Sequence, residues 1–216
     1  MSNLDWYRKT TWTDSNKDDF FAHLNRSRNS SRCQYLKIQA IYLFQTRRFK
    51  EVSASLVLVN LALDEYPEWH FQAELLGQKA ECLNYLGNLD LAEENFIFAL
   101  NAMRDFPNVQ PNVPISFGLF VIEHKIDRLH KEVLQVLDEF NDLEKGIVFP
   151  ISIYYYFGIK AIIFHREGNL SEAKLLAQIA VTESEKLYSG LSRHPHVGLV
   201  NDKEDLFHKE LLYIAK

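Results

Sequence analysis

The chain has 216 residues, of which 47% are hydrophobic and 25% are charged, as in an ordinary soluble globular protein. Its net charge of −5 is mildly acidic and argues against nucleic acid as the main partner. The sequence has no apolar run of the about 18–20 residues that a membrane span needs, and its first residues lack the apolar core of a signal peptide. Because it has only two cysteines and no need of a disulfide, we expect a reduced protein of the cytoplasm, without contact to a membrane.

The segment before residue 33 predicts a helical lead-in. Trp6, Tyr7 and Trp12 follow no clear period, and we expect them to form a strap that packs on the first helices. Asp14 or Ser15 is a suitable N-cap for the short helix that follows.

A pattern of small and large apolar residues then recurs every 40 or 41 residues. It is clearest in two stretches with identical offsets. These stretches are Ala80, Leu83, Gly87, Leu89, Ala92, Phe96 and Ala99, then Ala161, Phe164, Gly168, Leu170, Ala173, Ala177 and Ala180. Weaker copies begin at Ala40 and Val121 and carry Arg47 and Arg128 in place of the glycine. Self-similarity at this spacing predicts a protein of stacked repeats.

Each copy predicts a helix, a tight turn and a second helix. Gly87 and Gly168 stand where the first helix should end, because glycine accepts the left-handed backbone of that position. Asn88 and Asn169 follow as turn-forming residues. A single helical hairpin cannot bury its apolar faces, so neighbouring hairpins must stack.

The runs Gly87-Asn88-Leu89-Asp90-Leu91-Ala92 and Gly168-Asn169-Leu170-Ser171-Glu172-Ala173 resemble the tetratricopeptide repeat. The resemblance covers about residues 33–188, with a period near 40 instead of the usual ~34. It implies an all-α solenoid of about four helix–turn–helix repeats over residues 33–190. The lead-in of residues 1–32 precedes these repeats. A loop and a capping helix over residues 191–216 complete a single structural domain.

In the tetratricopeptide family the first helix of each pair lines a concave groove that binds a protein or peptide. The resemblance therefore implies partner-binding residues on this face in all four units. They are Lys37, Ile41, Gln45, Glu74, Glu81, Asn84, Tyr85, Lys125, Tyr155, His165 and Arg166. Members that clamp a carboxylate need asparagine where this chain has Ile41, Glu81, Ile122 and Ile162, so we expect no such clamp. The mixed lining suits a helix or an extended segment with apolar anchors.

Charge is unevenly distributed along the chain. Nine acidic and two basic residues between Asp64 and Asp105 give this segment a charge of −7 and leave the rest of the chain at +2. A solubilising outer face accounts for such a segment. The alternative is a docking patch for a partner with a basic surface.

Motifs for catalysis or metal binding are absent from the sequence. It has no Gly-rich phosphate loop, no nucleophile elbow and no His-Glu-x-x-His run. His194 and His196 could share a metal with a third ligand, but no cysteine or carboxylate nearby has the spacing of a ligand, so we expect a solvated loop. We therefore expect no enzymatic activity, no cofactor and no metal.

These observations favour a non-catalytic adaptor that binds a protein or peptide segment in the groove. Two alternatives stay open. One is an immunity or inhibitor protein that neutralises a toxin, which suits the small size and the acidic segment. The other is a regulator that senses a peptide, although the residues before the repeats are too few for a DNA-binding helix-turn-helix.

Overall fold

A computed structural model describes residues 5–109, 111–140 and 149–216. These residues form ten α-helices and one 3-10 helix, and no strand occurs among them, which confirms the all-helical prediction. The helices are α1 (Asp14–Arg26), α2 (Asn29–Phe44), α3 (Phe49–Glu65), α4 (Trp69–Tyr85), α5 (Leu89–Asp105), α6 (Val113–Glu123), the 3-10 helix (Asp127–Leu129), α7 (His130–Glu139), α8 (Pro150–Arg166), α9 (Leu170–Ser184) and α10 (Leu206–Ile214). The internal contacts of the chain divide it into two compact units, Met1–Ser116 (unit 1) and Phe117–Lys216 (unit 2).

Unit 1 is built from two helical hairpins, α2 with α3 and α4 with α5, and α4 also packs against α2 and α3. Ala40 and Ala80, the small residues of the repeated pattern, are fully buried, as expected where helices approach closely. The Ser55 hydroxyl donates a 2.8 Å hydrogen bond to the Ala40 carbonyl, and the Cys82 thiol lies 3.4 Å from the same hydroxyl. Apolar burial and these short polar contacts together join α2, α3 and α4.

The lead-in forms the strap that the sequence predicts. Trp6, Tyr7 and Trp12 pack against the apolar core of α1, α2 and α3. The N-cap of α1 is Thr13, one residue before the first of the two predicted caps. Its hydroxyl accepts from the Asn16 N–H at 3.2 Å, and the Asn16 side chain accepts from the Thr13 N–H at 3.3 Å.

The predicted glycine turns are confirmed. Gly87 and Gly168 have φ of 81° and 84°, directly after the residues that close α4 and α8. The N–H groups of Asn88 and Asn169 return 2.9 Å hydrogen bonds to carbonyls in the last turn of the preceding helices.

The register predicted for the third copy is wrong by three residues. Its left-handed residue is Lys125, with φ of 54°, whereas Arg128 lies in the 3-10 helix. Gly118 therefore replaces Val121 as the small residue, and a Cβ atom at Gly118 would lie 2.9 Å from Ile159 Cδ1. The first copy has Arg47 in the left-handed position, with φ of 52°, as the pattern places it. Because the left-handed residue of the third copy is a lysine, no glycine in the sequence marks the position of this turn.

Unit 2 is built around the hairpin of α8 and α9, on which α10 packs, and α7 packs against α8. Gly158 lets α10 approach α8, since a Cβ atom there would lie 2.6 Å from Phe207 Cζ. The predicted last helix is thus present and covers one side of the hairpin. The sequence also predicts that the third repeat ends at Lys145 and Gly146, and both residues lie outside the described part of the chain.

Candidate functional site

Unit 1 contains a cavity of about 780 Å³ between the first helices of its two hairpins and the segment that leads into α6. We call it the α2–α4 cavity. Helix α2 and its turn contribute Ile41, Phe44, Gln45 and Arg47, and α4 contributes Glu74, Gly77, Gln78 and Glu81. The opposite wall consists of Val109, Pro111, Asn112, Val113 and Ser116. A Cβ atom at Gly77 would lie 2.7 Å from Val113 Cγ2, so glycine at this position lets the wall approach α4.

Four of the residues predicted to bind a partner meet at this cavity: Ile41, Gln45, Glu74 and Glu81. The sequence prediction missed Gln78, although its spacing from Glu74 and Glu81 places all three on one face of α4. The polar positions 74, 78 and 81 were therefore a usable signal. The opposite wall had no such signal, because it is mostly an irregular segment without a period.

Glu81 is one of the two acidic residues that line the cavity. Its Oε1 atom accepts a 2.6 Å hydrogen bond from the Ser116 hydroxyl, across the cavity from α4. Burial raises the pKa of Glu81, while the Ser116 hydrogen bond and the charge of Arg47 act in the opposite direction. The site thus holds a carboxylate whose ionisation is opposed by its surroundings.

Glu74, by contrast, has a cation beside it. The Lys37 ammonium group lies 2.5 Å from Glu74 Oε2 and 4.1 Å from the centre of the Phe71 ring. The pair joins α2 to α4 and offsets the Glu74 charge. Lys37, which was predicted to contact a partner, is therefore engaged inside unit 1.

Tyr85 and Arg47 hold each other at the turn after α2. The Tyr85 hydroxyl donates a hydrogen bond to the Arg47 carbonyl. The Arg47 guanidinium lies 4.1 Å from the centre of the Phe44 ring. These contacts support a non-glycine residue with positive φ. Asn84, the neighbour of Tyr85, is half-buried in the last turn of α4.

Gln78 is the most unusual side chain of the cavity. It is only 6% exposed, and neither Nε2 nor Oε1 has a hydrogen-bond partner in the part of the chain that the structure describes. Such buried, unpaired carboxamides are rare in native proteins. Gln39, a fully buried glutamine of α2, has both groups paired: Oε1 accepts from the Lys9 N–H at 3.0 Å, and Nε2 donates to the Lys9 carbonyl at 2.7 Å.

The predicted binding residues of the fourth copy face α10 within unit 2. The Tyr155 ring lies 5.5 Å from Phe207, and the His165 ring lies 6.0 Å from Tyr213. Arg166 donates to the Ile122 carbonyl at 2.8 Å and to the Glu210 carboxylate at 3.2 and 3.3 Å. Lys125 is exposed in the turn after α6 instead of on the predicted helix face.

The cysteines and histidines form no metal site among the described residues, where no group of three or more potential ligands lies together. Cys33 and Cys82 are buried free thiols, and burial raises their pKa values to about 11 and about 12. His194 and His196 are exposed, and His196 stacks on Tyr188 at 6.3 Å. Within the described ranges, no helix is long and apolar enough to cross a membrane.

Comparisons with protein families, with curated proteins and with solved structures found no match to this chain. The tetratricopeptide resemblance therefore stays a prediction from the repeated residues. The function has to be argued from the geometry of the α2–α4 cavity.

Proposed function

We propose that this protein is a non-catalytic interaction module of the cytoplasm whose α2–α4 cavity binds a segment of another protein. The observation that supports this most strongly is the cavity itself. It measures about 780 Å³, and its lining combines five apolar side chains with seven polar or charged ones, including Gln78 and Glu81. Such a mixture suits the binding of a protein segment, since the apolar side chains supply contact area and the polar groups fix orientation.

A basic side chain is the partner group that best fits beside Glu81. Lys37 already offsets the charge of Glu74, whereas the charge of Arg47 only partly offsets the effect of burial on Glu81. A lysine or arginine from a partner would stabilise the ionised form of Glu81, which burial disfavours. The charge of −7 over residues 64–105 would attract such a partner at long range.

In this proposal the pairs α2–α3, α4–α5, α6–α7 and α8–α9 correspond to four tetratricopeptide-like repeats. A left-handed residue follows the first helix of each pair, at Arg47, Gly87, Lys125 and Gly168. Helix α10 would act as the capping helix.

Site-specific photo-cross-linking tests the proposed surface. A photoreactive phenylalanine at Gln45, which is exposed at the cavity, should cross-link a discrete partner in the native lysate. The matched control places the same group at Phe98, which is 49% exposed on α5 and is not part of the cavity lining. Equal products from both positions, or none from Gln45, would contradict the proposal.

A second candidate function is inhibition of a basic partner through the outer face of α5. Leu91 and Phe98 are half exposed there, and the carboxylates of Asp90 and Glu94 are exposed on the same helix. Apolar and acidic groups together suit a surface that covers a basic protein. In that case the cross-links would come from Phe98 and not from Gln45.

A further inference from the structure

We infer that Gln78 forms a pair of hydrogen bonds with the main chain of a partner segment that lies extended in the α2–α4 cavity. The inference rests on the proposed function and adds the chemistry by which the cavity holds its ligand. A carboxamide holds an N–H donor and a carbonyl acceptor side by side, which match the carbonyl and N–H of a single residue in an extended chain. The ligand class is therefore an unstructured protein segment, recognised at this point through its backbone.

The first argument is the unused hydrogen-bonding capacity of Gln78. The side chain borders the cavity, is 6% exposed, and has no partner for Nε2 or Oε1 among the described residues. In the free protein, the buried carboxamide has lost its hydrogen bonds to water and has no hydrogen bond to the protein in their place. The terminal torsion of glutamine is broad, so the amide plane can rotate at little cost in energy when a ligand enters the cavity.

The second argument is that the same residue type already performs this task elsewhere in unit 1. Gln39 lies on α2 and holds the N-terminal strap through both the N–H and the carbonyl of Lys9. The strap is an irregular segment, and Trp6 and Trp12 anchor it on either side of Lys9. A buried glutamine that holds a backbone between apolar anchors is thus an arrangement that this fold supports.

The third argument is spacing along α4. Glu81 lies three residues after Gln78, which corresponds to about 4.5 Å along the helix axis. An extended chain advances about 3.3 Å per residue. A segment bonded to Gln78 through its backbone can therefore present a neighbouring basic side chain to Glu81, so both groups can act on one ligand.

The test begins with selection of random dodecamer peptides on the wild-type protein, with competition by the free peptide as the criterion of binding. A selected peptide is then resynthesised with each backbone N–H replaced in turn by an ester oxygen. One ester should weaken binding to the wild type about tenfold, and Gln78→Leu, which removes both hydrogen bonds of the pair, should weaken binding of the parent peptide at least as much. That ester should have little further effect on binding to Gln78→Leu, because the acceptor of the lost N–H is already absent from the variant.

Thermal unfolding of the free protein provides the control for folding. Gln78→Leu should keep or raise the melting temperature, because it removes an unpaired buried carboxamide. Gln39→Leu should lower the melting temperature, because it leaves the backbone of Lys9 without partners. If Gln78→Leu does not fold, Gln78→Met, which keeps the length of the side chain, takes its place in the cycle.

The outcomes separate the inference from the proposed function. Peptides that bind in the cavity but show additive ester and Gln78 effects at every position would overturn the inference alone. Failure to select any peptide would contradict both. A dimer of the wild-type chain that Gln78→Leu dissociates would place a second copy in the cavity and exclude a partner segment.

Discussion

At the scale of single residues, the helix ends show which backbone positions carry strain. Arg47 and Lys125 adopt the left-handed conformation that Gly87 and Gly168 adopt elsewhere. This conformation costs a non-glycine residue about 1 kcal/mol. Arg47 recovers part of this cost through Tyr85 and Phe44, whereas Lys125 is exposed in its turn.

We expect Lys125→Gly to raise the free energy of unfolding by about 0.5–1 kcal/mol. The relief of backbone strain in the folded state should outweigh the entropy that glycine adds to the unfolded chain. Gly87→Ala should lower it by about 1 kcal/mol through the backbone alone, since a Cβ atom there meets nothing within 4 Å. Urea denaturation measures both changes. Arg47→Gly is the control and should gain less than Lys125→Gly; a larger gain would contradict the stabilising role of the Tyr85 and Phe44 contacts.

The half-buried carboxyl group of Glu81 predicts a pH-dependent stability. Burial raises its pKa in the folded state above the ordinary value of about 4.3. The contribution of the protonated group to stability is therefore complete when the pH is below the pKa of the unfolded chain. It is lost as the pH rises through the higher pKa of the folded state. Glu81→Gln keeps a neutral group beside Ser116 and should be more stable than the wild type at pH 7.

Denaturation midpoints between pH 4 and 8 check this expectation, and the advantage of Glu81→Gln should shrink towards pH 4. Glu74→Gln is the matched control on the same helix. It should be less stable than the wild type at pH 7, because it removes the partner of Lys37. An advantage of Glu81→Gln that does not change with pH would exclude ionisation as its cause.

At the scale of helices, the period of the sequence predicted the features that recur in each helical hairpin. It located the hairpins α4–α5 and α8–α9 through their Gly-Asn turns. It misplaced the end of α6, because a left-handed lysine has no sequence signature. The tetratricopeptide resemblance, and not the period, supplied Ile41, Gln45, Glu74 and Glu81, which the structure brings to one cavity. Neither the period nor the resemblance indicated Ser116, because the position of the first turn of α6 against α4 depends on tertiary contacts such as that of Val113 with Gly77.

The contact of α8 with α10 gives a prediction at this scale. Gly158→Ala improves helix propensity by about 1 kcal/mol but brings a methyl group against Phe207 and Leu211. We expect a net loss of about 1–2 kcal/mol in the free energy of unfolding, because overpacking forces the helices apart. In a double-mutant cycle, Phe207→Leu should reduce the cost of Gly158→Ala, and strict additivity would show that the contact is not responsible.

At the scale of the whole molecule, the distribution of charge distinguishes steering from direct contact. The segment 64–105 carries −7 in a chain of −5, and Asp90 and Glu94 are exposed in it. If the α2–α4 cavity is the binding site, these carboxylates lie outside its lining and act on the partner only at a distance. Long-range attraction changes association rates and is screened by salt, whereas direct contacts chiefly set dissociation rates.

We therefore expect Asp90→Lys with Glu94→Lys to slow association of the partner cross-linked at Gln45 about threefold to tenfold at low salt, and to leave its dissociation rate unchanged. The difference from the wild type should disappear near 0.5 M salt, where the screening length falls to about 4 Å. Stopped-flow or surface-binding kinetics measure both rates. The charge-matched control, Glu172→Lys with Glu204→Lys, makes the same change in net charge outside segment 64–105, so it measures the effect of net charge alone. Faster dissociation of the Asp90 and Glu94 variant would place α5 in the interface and favour the inhibitor over the cavity-binding module.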